Sequence, residues 1–99
     1  MNPEAWYWLA LGKLSLGEAA TAREIAEAAM ARFPGDARSC ILAGEILLDL
    51  GDFGQAKAII EPVLERDPSQ WAAWSNYSAI LYSLQDYHGA KRAALKAWS

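Results

Sequence analysis

Acid–base, nucleophilic and metal chemistry all need reactive side chains in company, and this chain supplies few. His88 is its lone histidine and Cys40 its lone cysteine, so no zinc spacing, no Cys–His pair and no internal disulfide can be assembled. His88 follows Tyr87 at the start of a predicted helix, where an exposed or capping role fits better than that of a general base. Glu27, Glu61 and Glu65 stand among Lys and Arg and read as a solvated face laced with weak ion pairs. No glycine-rich phosphate loop is present. The expectation is a chain with no catalytic residue, no metal, no cofactor and no enzymatic activity of its own.

Composition narrows the partners further. The net charge is -3, and the 9 basic residues are scattered rather than clustered, which argues against nucleic acid, whose binding needs grouped Lys and Arg. Hydrophobic residues make up 54% of the 99 and charged residues 21%, enough apolar surface for one folded domain spanning 1–99. The opening Met1-Asn2-Pro3-Glu4 has neither a basic n-region nor an apolar h-region. No apolar run approaches the roughly 18 residues that cross a bilayer. Membrane insertion is not expected, and a soluble, cytoplasmic chain is.

The elements that position these side chains emerge from a self-comparison. A shift of 34 residues aligns Pro34 with Pro68, Trp6 with Trp74, and Ala22 with Ala56 and Ala90. The same shift aligns Leu16, Leu50 and Leu84, then Glu18, Asp52 and Asp86, then Arg23, Lys57 and Lys91. Repeats therefore run at about 3–36, 37–70 and 71–99, the last incomplete, and about three units are the minimum for a stable stack. Midway through each unit lies Leu16-Gly17-Glu18, Leu50-Gly51-Asp52 or Leu84-Gln85-Asp86. Gly17 and Gly51 can take the left-handed conformation that ends a helix, Gln85 less easily, and the acidic residue favours the next N-terminus. Asn2-Pro3, Pro34-Gly35-Asp36 and Asp67-Pro68-Ser69 punctuate the units themselves. The spacing predicts helices near 3–15, 19–32, 37–50, 53–66, 71–84 and 87–98, with short loops and antiparallel neighbours.

Trp6, Leu9, Ala10, Ala22, Ala29 and Pro34 fall where the tetratricopeptide signature places its tryptophan, leucine, small residue, two alanines and proline. The second unit keeps Gly44, Ala56 and Pro68 with Cys40 and Ala43 in place of tryptophan and leucine, and the third keeps Trp74, Ala90 and Ala97. Departures are Lys13 in place of an aromatic, and Ala26 and Ala94 in place of larger residues. Over essentially its whole length the chain resembles the tetratricopeptide repeat family. That resemblance implies an all-α, right-handed α-solenoid of antiparallel helix pairs, about six helices, that works as a scaffold for other proteins.

The physical reasons for these positions are independent of the family. A single helix pair cannot cover its own apolar faces and must stack on copies of itself. Ala22, Ala56 and Ala90 suit close helix approach. Trp6 and Trp74 are expected in the core, unlike Trp8, Trp71 and Trp98. Pro62 interrupts the fourth helix and is expected to kink it.

A second apolar stripe remains on the first helices: Tyr7, Leu11 and Leu14, with Ile41, Leu48, Ala79 and Tyr82 at equivalent places. Because the family stacks its first helices along a concave wall, the resemblance implies a groove for an apolar or amphipathic peptide or helix of a partner protein. Glu45 and Asp49 would add negative charge there, and Arg38 an opposing basic group. The bland alternative is that the stripe packs adjacent first helices together. Co-chaperone members clamp a C-terminal carboxylate at positions matching Tyr7, Leu11, Leu42, Ala72 and Asn76, of which only Asn76 has the right type. A buried anion without cationic partners is costly, so no such clamp is expected. Other readings are an architectural or self-assembling solenoid fragment, with a homo-oligomer formed through the open C-terminal end around Trp98 and Ser99, or the non-catalytic arm of a larger enzyme.

Overall fold

Three repeated helix stops organise the chain. In a computed structural model that describes residues 3–98, Glu18 N–H donates to Lys13 O at 2.8 Å, Asp52 N–H to Leu47 O at 2.9 Å and Asp86 N–H to Leu81 O at 2.8 Å. Each is the long bond of a Schellman turn, and the residue before it is left-handed: Gly17 and Gly51 at φ 82° and Gln85 at φ 68°. Asp52 and Asp86 then accept from the amides of Gln55 and Gly89 and so start the next helix. Asp36 does the same for Ser39, whereas Glu18 makes no side-chain cap. The expected cap at Asn2 and the terminal Ser99 lie outside the described residues.

The six helices are α1 (Pro3–Ser15), α2 (Ala19–Arg32), α3 (Ala37–Asp49), α4 (Phe53–Arg66), α5 (Trp71–Ser83) and α6 (Tyr87–Trp98). They match the expected spans except that α3 and α5 end one residue earlier, with Leu50 and Leu84 as C-caps. No strand occurs among the described residues. Each helix packs on the next, and α1, α3 and α5 also touch one another in a row. Among the described residues α2, α4 and α6 do not touch. The result is a right-handed α-solenoid of three antiparallel pairs. α4 runs from Phe53 to Arg66 through Pro62, which lies on the exposed side.

Small residues permit the close pairing. Ala22 and Ala56 are fully buried and Ala90 nearly so. A Cβ on Gly44 would come within 2.7 Å of the Ile60 side chain, so α3 and α4 approach where only glycine fits comfortably. Trp6 is sealed among Ala10, Ala22, Ala26 and Ile46. Trp74 departs from its expected core place and is only half-buried. Its indole N–H reaches out to Pro68 O at 2.8 Å, and the buried residues of its last-pair cluster, Leu81, Ala90 and Ala93, are too small to enclose the ring. Lys96 Nζ covers part of it, 5.8 Å from the centroid.

Candidate partner-binding groove

The row of first helices forms a wall because α1, α3 and α5 each contribute one face to it. Along this wall Tyr7 of α1 donates its hydroxyl to Glu45 Oε1 of α3 at 3.0 Å. Burial, with the Glu45 hydrogen bond and the charges of Glu45 and Asp49 behind it, pushes the Tyr7 hydroxyl up to about 12. Two expected wall residues are thereby locked together, and the phenol remains a neutral donor.

Two clefts open on the wall. One, of about 570 Å³, lies between α3 and α5 and takes Arg38, Ile41 and Glu45 from the expected set, with Trp71 and Asn76 opposite. The other, of about 910 Å³, runs along α5 from Ser75 to Ser83, with Leu48 and Asp49 of α3 on one side and Tyr87 and Lys91 of α6 on the other; Tyr82 lies within it. Tyr82 and Tyr87 meet edge to face at 5.2 Å. Leu11 and Leu14 line neither cleft and pack on the Trp6 cluster. Ile41 is 92% covered, so it serves packing as much as the cleft. Asn76 spends its amide on Ile41 O at 3.3 Å.

Sequence reasoning passed over Trp71, 69% exposed, because it lies off the signature positions, and Ser75, because a small polar residue gives no apolar signal. Both lie on α5 four residues apart, and that i, i+4 spacing would have found them. Cys40, the lone thiol, is buried and its ionisation pushed up by that burial, with Arg66 opposing. It is therefore a packing residue and not a nucleophile. His88 is exposed on the first turn of α6.

A tetratricopeptide repeat model matches residues 13–81. No curated protein matches the chain. Among solved structures, MamA residues 41 to end from Desulfovibrio magneticus RS-1 is similar at 19% identity, covering 97% of this chain and 54% of that one, with a TM-score of 0.77. The MamA RS-1 ArsTM double mutant is similar to the same extent, at 19% identity, 97% and 54% coverage and a TM-score of 0.76. The chain thus spans about half the length of these structures, and the likeness is one of fold. No described helix is long and apolar enough to cross a membrane.

Proposed function

We propose, from the premise that this chain belongs to the tetratricopeptide repeat family, that it is a non-catalytic scaffold holding an apolar or amphipathic helix of a partner protein against the α1–α3–α5 wall. Repeats of this family generally mediate contacts between proteins. The observation that carries the finer reading is the pair of adjoining open clefts with large exposed aromatics on them, Trp71 at 69% and Tyr82 at 66% exposure. Aromatic anchors flanked by charges of both signs, here Arg38, Glu45, Asp49 and Lys91, are what an amphipathic segment needs. The acidic balance and scattered basic residues support a protein ligand over nucleic acid, and the reading places the chain in the cytoplasm.

The test begins with capture of a partner and its identification by mass spectrometry, followed by affinity measurements on variants. Leu48→Ala and Tyr82→Ala are each expected to weaken binding by about 2 kcal/mol, roughly thirtyfold, with unchanged helical signal. Ala56→Leu, at a fully buried contact, is the fold control and costs about 1–3 kcal/mol of stability by overpacking. Normal binding by the Leu48 and Tyr82 variants, or unfolding as severe as that of Ala56→Leu, turns the stripe into packing and ends the groove assignment.

A further inference from the structure

We propose that copies of this chain join head to tail, α6 of one copy seating on the α1–α2 pair of the next. The junction uses the end faces and leaves the wall of first helices free; of the residues it invokes only Lys91 also lines a cleft described above, so it otherwise stands apart from the partner-binding reading. Within the chain the same junction is already made twice, α2 on α3 and α4 on α5, with Met30 and Leu64 packed into the central core. The 34-residue shift carries Met30 and Leu64 onto Trp98, whose side chain is 90% exposed.

The receiving face is apolar. Between α1 and α2 a cleft of about 350 Å³ is lined by Trp6, Leu9, Ile25, Ala29 and Phe33, with Arg32 its one charged residue. Leu9 is 49% exposed, whereas its equivalent Ala43 is fully covered. Across the α4–α5 junction Tyr77 donates to Glu61 at 2.7 Å. The shift replaces that polar pair by Leu9 of one copy and Leu95 of the other, 49% and 56% exposed, so the pair turns from polar to apolar on both sides together. Charge agrees as well. Arg23 pairs with Asp52 across the first junction, and the shift sets Lys91 of one copy against Glu18 of the next, again of opposite sign and both exposed. The two faces differ, so the contact is heterologous and lengthens into chains instead of closing as a dimer.

Sedimentation of the 99-residue chain tests this. The wild type is expected to gain mass continuously into the hundreds of micromolar, about the range for a Kd near 10⁻⁴ M. Leu9→Glu spoils only the receiving face and Trp98→Glu only the inserting one. Each alone stays monomeric with unchanged helical circular dichroism, and equal amounts mixed form a dimer and nothing larger. If Leu9→Glu unfolds, the exposed charges serve instead: Lys91→Glu weakens association at low salt, and adding Glu18→Lys in the same chain restores it. A wild type that stays monomeric through the range overturns the proposal and assigns the end faces to other residues or another protein. So does Leu9→Glu self-associating like the wild type, which marks tail-to-tail pairing, or a variant mixture that stays monomeric.

Discussion

Tyr7 and Tyr77 each donate a hydroxyl to a glutamate of another helix, Glu45 at 3.0 Å and Glu61 at 2.7 Å. Burial is the largest cause, reinforced by those carboxylates, and both hydroxyls are pushed up to about 12. The folded chain therefore holds these protons more tightly than an unfolded tyrosine, whose value is 10.0. Their contribution to stability is whole below pH 10.0 and is lost as pH rises toward about 12. Phenolate absorbance should show two of the four tyrosines ionising near 12, with one such component missing in Tyr7→Phe and the other in Tyr77→Phe. A titration curve without those components sinks the prediction. Neither bond was legible in the sequence. Tyr7 could be placed on the wall by its spacing, but its pairing with Glu45 spans 38 residues and depends on how α1 leans on α3.

At the scale of the element, the turns were the most legible part of the molecule. Gly17 and Gly51 specify where a helix stops, and Asp52, though not Glu18, caps the helix that follows, because the left-handed stop and the capping carboxylate are local chemistry. Helix ends came out within a residue for that reason. Gln85 is the exception that obeys the same geometry under strain, at φ 68° with a side chain that disfavours it. Gln85→Gly should therefore stabilise the chain by about 0.5–1 kcal/mol, relief of strain exceeding the added freedom of the unfolded state. Thermal unfolding checks this, the midpoint rising by roughly 2–8 °C. A lower midpoint would mean that Gln85 makes a compensating contact. Trp74 was misjudged for the opposite reason. Its register position predicts a core, but its exposure depends on the size of the neighbours that α6 presents, two of them alanines.

Across the whole molecule the core is uneven. The middle is the largest cluster, built on Leu47, Ile60, Val63 and Ile80, while among the described residues the cluster between α5 and α6 holds only Leu81, Ala90 and Ala93. Among the described residues α6 packs on α5 alone. Repeat stacks open in pieces according to such local support. Hydrogen exchange should be slowest in α3 and α4 and fastest in α6, and uniform protection would contradict that order. Raising the concentration is expected to slow exchange in α6 and in α1–α2 but not in α3 and α4, since the proposed junction covers the two ends. The gradient was invisible in the sequence because the 34-residue register makes the three units look alike, and only the volumes packed between them distinguish the ends from the middle.

The row of touching helices α1, α3 and α5, set against the separated α2, α4 and α6, also fixes how the molecule deforms. It is hinged along one side, like a fan bound at its ribs. Spreading the inner row pulls apart packed side chains, whereas tilting the outer helices breaks no contact between them and works only against the α2–α3 and α4–α5 seams. Bending about the bound edge, which loosens those seams alone, should therefore be easier than stretching along it, which parts the seams and the inner row together, so that a guest proposed for the wall would be met first by a change of curvature, with Leu48, Trp71 and Tyr82 keeping their spacing.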